Sequence, residues 1–156
     1  MNKAVVYHQN RASYSEVLVH FQLCDDAFIP RLSDRVVLTD YTQKIVKRAV
    51  RFEAWAEGRL VGMIAVYCNA VEVDTAYITS VSILSEFQGK GIASELLGQI
   101  CDRMRELGFA AIELEVSEDN LRATNLYRRH GFELRDNRKN SIVMHLNLLK
   151  KADHEK

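Results

Sequence analysis

The stretch that decides the fold runs from residue 81 to residue 94 and reads Val81-Ser-Ile-Leu-Ser-Glu-Phe-Gln-Gly-Lys-Gly-Ile-Ala-Ser94. A strand-like segment leads through a glycine-rich turn into a helical pattern. The first N–H groups of a helix lack internal partners, and the helix dipole adds partial positive charge there. Gly89, Gly91 and Ala93 would let these amides approach a phosphate closely, with Lys90 as a nearby cation. The turn therefore indicates an anion site, although a plain strand-to-helix turn fits the same glycines.

Two other phosphate-binding motifs fit this stretch poorly. A P-loop needs a serine or threonine directly after its lysine, and here Gly91 follows Lys90. A dinucleotide-binding turn would need a third glycine where Ser94 stands, and it would open a long series of βαβ units. The chain that remains after Gln88 is short for such a series. Neither motif is favoured.

Hydrophobic periodicity on both sides of the stretch predicts the other elements. Upstream it predicts a short first strand at 4–7, helices over 14–24 and 40–50, a loop over 25–35, a hairpin over 52–68 and a strand over 76–84. Downstream it predicts a helix over 89–107 ended by Gly108, a strand over 110–116, a helix over 120–130 closed by Gly131 and a hairpin of 132–135 with 141–148.

This element order predicts an α/β fold with a mixed, mostly antiparallel central sheet that is flanked by helices on both faces. Alternation along the strand over 76–84 predicts two faces, with Tyr77, Thr79, Val81 and Ile83 on one and Ile78, Ser80 and Ser82 on the other. We expect one domain over residues 1–149 and a frayed tail over residues 150–156.

Composition excludes several classes of protein. The 156 residues include 21 Lys+Arg and 21 Asp+Glu. The chain therefore has neither the basic excess typical of nucleic-acid-binding proteins nor the acidic excess typical of disordered chains. No apolar run is long enough to cross a membrane, and we expect no secretory segment because only four apolar residues follow Lys3. The three cysteines and five histidines lack metal-ligand spacing, and His20 is expected on a helix surface. We therefore expect a reduced, cytoplasmic protein without a metal.

Two motifs resemble one family. Gln88-Gly-Lys-Gly-Ile-Ala93 fits the Gln/Arg-x-x-Gly-x-Gly/Ala signature of the GNAT superfamily of acyl-CoA-dependent N-acetyltransferases. Asn120-Leu-Arg-Ala-Thr-Asn-Leu-Tyr-Arg-Arg-His-Gly-Phe132 looks like the family's Asn-x-x-Ala-x-x-Leu-Tyr-x-x-x-Gly-Phe. Val81-x-Ile83 also matches, whereas Ser85 stands where a proline is often found. The resemblance covers about residues 52–148 and implies the GNAT fold.

The resemblance implies a binding site for acetyl-CoA as co-substrate. The pantetheine arm would lie along the strand of Val81, Ser82 and Ile83, and one amide of this strand would polarise the thioester carbonyl. The pyrophosphate would be held by Gln88, Gly89, Lys90, Gly91, Ile92, Ala93 and Ser94. The arm would also contact the helix that carries Asn120, Ala123 and Tyr127, three residues that share one helical face.

Two catalytic residues follow from the resemblance. Tyr127 matches the tyrosine that many relatives use to protonate the departing thiolate; a core tyrosine is the alternative. Glu115 lies twelve residues earlier, a spacing similar to that of the ribosomal-protein N-terminal acetyltransferases, in which such a glutamate is the base. Its alternative is a solvated carboxylate, with water removing the proton. Histone-type relatives place their base where this chain has Tyr77.

Two functions remain open at this stage. One is an enzyme that acetylates a primary amine by direct attack in a ternary complex, and the other is a module that binds or senses acyl-CoA. The acceptor, a small molecule or a peptide, could be an amino sugar, a polyamine, an amino acid or a protein N-terminus. In relatives it contacts segments that correspond to residues 21–35 and 136–140. We expect no nucleic-acid or membrane partner, and the protein could form a homodimer. Three arginines on the last predicted helix, Arg122, Arg128 and Arg129, fit a solvated helix face better than a phosphate site.

Overall fold

The computed structural model describes residues 4–69 and 74–149, and within these ranges seven strands form one sheet. The strands are β1 Val6–Gln9, β2 Val50–Ala56, β3 Arg59–Tyr67, β4 Thr75–Ile83, β5 Ala111–Ser117, β6 Glu133–Asn137 and β7 Ser141–Asn147. Their order in the sheet is β1-β2-β3-β4-β5-β7-β6. Only the β4–β5 pair is parallel among the described strands, which confirms the predicted mixed, mostly antiparallel sheet. The tail predicted to fray lies outside the described residues.

Helices cover both faces of this sheet, as predicted. They are α1 Tyr14–Cys24, α2 Leu38–Arg48, α3 Ile92–Glu106 and α4 Leu121–Arg129. Side chains of β3 alternate between two apolar clusters: Met63 packs with residues of α1 and α2, whereas Ile64 packs with residues of α3 and α4. We call these sides the α1–α2 face and the α3–α4 face. No helix in the described ranges has the length and apolarity that a membrane span requires.

The start of α3 differs from the prediction. Gly89 and Gly91 have φ angles of +77° and +82°, which belong to the left-handed region. A right-handed helix cannot contain them, so α3 begins at Ile92 rather than at residue 89. The other helices begin and end within two residues of their predicted limits.

A β-bulge changes the predicted faces of β4. Ala65 of β3 pairs with Ser80, and the next residue, Val66, pairs with Ile78, so that Thr79 is an extra residue on β4. Because one extra residue reverses the alternation, Ile78 lies in the same α3–α4 cluster as Val81 and Ile83. The predicted placement of Ile78 opposite them was wrong.

β4 and β5 separate soon after they meet. Their parallel register runs from Thr75 opposite Ala111 to Ile78 opposite Leu114. Beyond this point β4 continues to Ile83 and β5 to Ser117, and no further pairs join them. A gap therefore opens inside the sheet, between two strands rather than at its edge.

His20 is buried, contrary to the expectation of a helix-surface position. Only 1% of its surface is exposed, and its ring connects α1 to the two central strands. Nδ1 lies 3.3 Å from the Leu60 carbonyl oxygen, which can only accept, so this nitrogen carries the proton. Nε2 then accepts a hydrogen bond from the Ser82 hydroxyl at 2.8 Å. Burial lowers the pKa of His20 to about 4.

We predict that His20 makes stability depend on pH. The unfolded chain takes up a proton below pH ~6.5, whereas the folded protein keeps the ring neutral down to about pH 4. The stabilising contribution of the neutral ring is therefore fully present above pH ~6.5. The free energy of unfolding falls by up to about 3 kcal/mol as the pH decreases toward 4. Denaturant unfolding across this range should show a weaker decline in His20→Gln. His8→Gln should retain the decline; equal pH slopes in the wild type and His20→Gln would contradict the assignment.

Glu53 connects the start of α1 to β2. Its carboxylate is fully buried and accepts hydrogen bonds from the backbone N–H groups of Arg11 and Ala12, at 3.0 and 3.1 Å. Arg51 Nε and Trp55 Nε1 donate to it as well, at 3.1 and 3.0 Å. The guanidinium of Arg51 also donates to the Ala12 carbonyl at 2.9 Å. This buried ion pair is thus supported by further hydrogen bonds.

We predict that Glu53→Ala is strongly destabilising. The substitution would leave the buried Arg51 guanidinium without its carboxylate and two backbone amides without acceptors. Removing one partner of a buried pair costs about 3–5 kcal/mol. Urea unfolding measures this loss, with the exposed Glu118→Ala as a control that should change little. A loss below about 1 kcal/mol would show that the pair contributes little to stability.

Candidate active site

A cavity of about 480 Å³ lies where β4 separates from β5. It is bounded by the second half of β4, the turn into α3, one side of α4 and the segment after α1. Its lining consists of Cys24, Ala27, Phe28, Ile29, Val81, Ser82, Ile83, Phe87, Gln88, Gly89, Gly91, Ile92, Ala93, Ser94, Asn120, Arg122, Ala123, Leu126, Tyr127 and Arg129.

The turn into α3 has the geometry of a phosphate cradle. Gly91 is the N-cap of α3, and because glycine has no side chain, the first amides of the helix have no side-chain cap. A Cβ atom built on Gly91 would meet nothing within 4 Å, so the space above it is open to a ligand. Partial positive charge, free amides and open space together fit a pyrophosphate.

The second motif lies across the cavity from this cradle. Asn120 caps α4 by accepting a hydrogen bond from the Ala123 N–H at 3.2 Å. Arg122 Nη1 donates to Gln88 Oε1 at 3.0 Å, and Gln88 Nε2 donates to the Ile83 carbonyl at 3.3 Å. The side chain of Gln88 therefore joins the strand, the cradle and α4, which brings the two sequence motifs together.

The predicted cofactor residues come together with one exception. Those that line the cavity are Val81, Ser82, Ile83, Gln88, Gly89, Gly91, Ile92, Ala93, Ser94, Asn120, Ala123 and Tyr127. Lys90 is exposed and is not part of the lining, because its side chain lies on the solvent side of the turn. Within the described residues, no group of three or more His, Cys, Asp or Glu side chains could hold a metal ion.

Tyr127 is a buried phenol at the inner wall of the cavity. Its surface is 5% exposed, and its ring packs against Phe132 with a centroid separation of 5.8 Å. Burial raises the pKa of Tyr127 well above its ordinary value. The phenol is therefore protonated at neutral pH and has a proton to give.

Glu115 lies outside the cavity lining. It is exposed on β5 and faces away from the buried neighbour Leu114, which belongs to the α3–α4 cluster. The Ser141 hydroxyl donates a hydrogen bond to its carboxylate, and Arg138 Nη1 lies 3.8 Å from it. Glu115 and Tyr127 thus belong to opposite faces of the sheet.

Sequence reasoning missed part of the lining. Arg122 and Arg129, expected on a solvated face, are exposed and also border the cavity. Their separation of seven residues, about two helical turns, was the available indication. The segment after α1 adds Ala27, Phe28 and Ile29, for which no motif exists.

Comparisons with known proteins identify the family of the chain. The model of the acetyltransferase (GNAT) family matches residues 17–132. A ribosomal protein bS18-alanine N-acetyltransferase of Haemophilus influenzae is 38% identical over 73 residues, which make up 47% of this chain and 49% of that protein. An L-2,4-diaminobutyric acid acetyltransferase of Nocardia farcinica is 28% identical over 85 residues, 52% of this chain and 44% of that protein. The match thus spans about half the length of each relative.

Solved structures share the fold. The ribosomal-protein-S18-alanine N-acetyltransferase of Escherichia coli has a TM-score of 0.75 at 16% identity, over 93% of this chain and 94% of its own. The PaiA N-acetyltransferase of Thermoplasma acidophilum, solved in complex with coenzyme A, has a TM-score of 0.71 at 15% identity. The match covers 92% of this chain and 99% of that chain. The family model covers most of the chain and includes both motifs, which confirms the predicted resemblance: the protein belongs to the GNAT family of acetyltransferases.

Proposed function

We propose that this protein is an N-acetyltransferase, with residues 1–149 as its single domain, that moves the acetyl group of acetyl-CoA to a primary amine in a ternary complex. The observation that carries the proposal is the cavity at the β4–β5 gap, where both family motifs meet. The two curated relatives named above act, by their names, on an alanine of a ribosomal protein and on diaminobutyric acid. Both substrates carry primary amines, which supports the same class of acceptor here.

The open side of β4 suits the pantetheine arm. Beyond Ile78, β4 has no strand partner on the β5 side, so its backbone groups are available to an amide-bearing ligand. The arm would extend this ladder along Val81–Ile83, and the cradle at the start of α3 would hold the pyrophosphate. One amide of the ladder would then donate to the thioester oxygen as negative charge develops on it.

The reaction needs one acid and one base. The acceptor ammonium gives a proton to Glu115, directly or through water, and its nitrogen attacks the thioester carbon. The new C–N bond forms as the C–S bond breaks, and the departing sulfur takes the proton of Tyr127. The proton that the nitrogen loses as it becomes an amide then restores the phenol. Glu115 then releases its proton to solvent, so both residues return to their starting states and all bonds and protons balance.

The positions of the two residues support these roles. Tyr127 reaches the gap from the α3–α4 face and Glu115 lies on the α1–α2 face. An amine that enters from one face and a thiol that leaves toward the other would each meet the group that it needs.

Release of CoA thiol with a panel of primary amines tests the function. Saturable CoA binding without thiol release would instead support the acyl-CoA-binding module.

We predict that Tyr127→Phe lowers kcat by about 10² or more while the affinity for acetyl-CoA changes little. The substitution removes the proton donor but keeps the buried ring against Phe132. Thiol release measures kcat and calorimetry measures binding. Tyr14→Phe, which removes a hydroxyl outside the cavity lining, is the matched control. Unchanged kcat in Tyr127→Phe would remove this residue from the mechanism.

We predict that Gly91→Leu weakens the binding of CoA by about tenfold or more, because a side chain would enter the open space of the cradle and strain a φ of +82°. Gly98→Ala, in the middle of α3, has free space and no left-handed backbone, and should bind normally. Calorimetry gives both dissociation constants, and thermal melting verifies that each variant folds. Normal affinity in a folded Gly91→Leu would contradict the pyrophosphate assignment.

A further inference from the structure

Tyr77 lies on β4 and is not among the described members of the apolar cluster under α1 and α2. It is 37% exposed on β4, opposite Glu113 of β5, which in turn pairs with His145 of β7. The described members of the apolar cluster under α1 and α2 include no residue of β5, β6 or β7. Beside the gap, on the side where Glu115 lies, the α1–α2 face therefore carries the exposed side chains of Tyr77 and Glu115.

Charges of both signs act on the Tyr77 hydroxyl. Burial raises the pKa of Tyr77, and Glu115 and Glu113 raise it further, whereas Arg138 and Arg35 lower it. The arginines come from two separate segments: Arg35 follows the 3-10 turn Leu32–Asp34 between α1 and α2, and Arg138 belongs to the turn between β6 and β7. Three segments thus contribute two guanidinium groups and two carboxylates whose charges act on one phenol.

The two carboxylates differ in their partners. Glu113 is engaged by His145 Nδ1 at 2.8 Å and by Arg135 Nη1 at 3.2 Å. The ion pair of Glu115 is longer, with Arg138 Nη1 at 3.8 Å, and its carboxylate accepts a hydrogen bond from the Ser141 hydroxyl. Glu113 is therefore satisfied within the sheet, and Glu115 is the carboxylate that can turn to an incoming cation.

The two arginines also differ in their partners. Arg138 lies between Glu115 and Asp136, with its Nε 3.5 Å from the latter. Arg35 is exposed and has no carboxylate within ion-pair distance among residues 4–69 and 74–149. Among residues 4–69 and 74–149, Arg35 is therefore a guanidinium without a carboxylate partner, and Arg138 lies 3.8 Å from the available carboxylate of Glu115.

We propose that the acceptor is a small amine that also carries a carboxylate, an amino-acid-like zwitterion whose ammonium lies at Glu115 and whose carboxylate lies at Arg35 and Arg138. This inference rests on the proposed function and adds the class of acceptor. A guanidinium binds a carboxylate through charge-assisted hydrogen bonds, often two at once. The same guanidinium would repel the second ammonium of a polyamine. Charge complementarity therefore favours the zwitterion.

The test compares amines that differ only by the carboxylate. Ornithine is paired with putrescine and lysine with cadaverine, and thiol release gives kcat/KM for each. We expect the amino acid to exceed its diamine by about tenfold or more, the effect of one charge-assisted contact. Arg35→Gln and Arg138→Gln should reduce this ratio toward one, mainly through KM. Arg103→Gln, an exposed arginine of α3 outside the cavity lining, is the matched control and should keep the ratio.

Each outcome decides the proposal. Diamines that react as well as the amino acids, or ratios unaffected by Arg35→Gln, would overturn it and leave the acetyltransferase function intact. A peptide with a free N-terminal alanine that reacts about tenfold faster than both amino acids would overturn it in favour of a peptide acceptor. Binding provides a readout without turnover: in calorimetry with CoA-saturated protein, ornithine should bind about tenfold more tightly than putrescine. Binding of CoA without acetylation of any amine would refute the enzyme and this inference together.

Discussion

The separation of β4 from β5 is the constraint on which the site depends. Backbone N–H and C=O groups inside a sheet require partners, and a gap between two central strands leaves a row of them open. Such a row is stable when water or a ligand can reach it. The beginnings of α3 and α4 lie at the same gap, so the phosphate cradle and the buried phenol are placed relative to one opening. Without the gap, the two motifs would flank an ordinary closed sheet.

Buried polar contacts hold this part of β4 from the side away from the cavity. Tyr41 of α2 lies 3.0 Å from the Thr79 carbonyl and 2.9 Å from the Thr79 hydroxyl, at the extra residue of the bulge. His20 of α1 accepts a hydrogen bond from the hydroxyl of Ser82, which lies three residues after Thr79 on β4. Both contacts anchor the strand to the α1–α2 face. The strand can therefore leave its backbone open toward β5 and still keep a fixed position.

Local chemistry explains what the sequence predicted well. Periodic apolar residues mark the helices and strands, and the glycines of the turn and Asn120 at the start of α4 act on their immediate neighbours. For this reason the order of elements and nearly all of the predicted cavity lining could be derived from the residues and the motifs.

What the sequence could not predict depends on partners that are distant along the chain. The bulge at Thr79 exists only in relation to β3, so the face of Ile78 could not follow from alternation within β4. The burial of His20 depends on Leu60 and Ser82 as hydrogen-bond partners, which no local pattern reveals. The outward position of Lys90 depends on the left-handed backbone on either side of it. Each of these features arises from tertiary contacts or backbone geometry rather than from residue type.

The use of main-chain groups along β4 has a consequence for the tolerance of the chain to mutation. Nearly every residue type supplies the same amide and carbonyl, so a ladder formed by residues 81–83 can survive replacement of its side chains as long as their volume fits. Proline is the exception, because it lacks the donor and fixes the backbone torsion. Recognition of this kind leaves little trace in residue identity, and sequences can diverge widely at these positions while the strand still presents the same pattern of donors and acceptors.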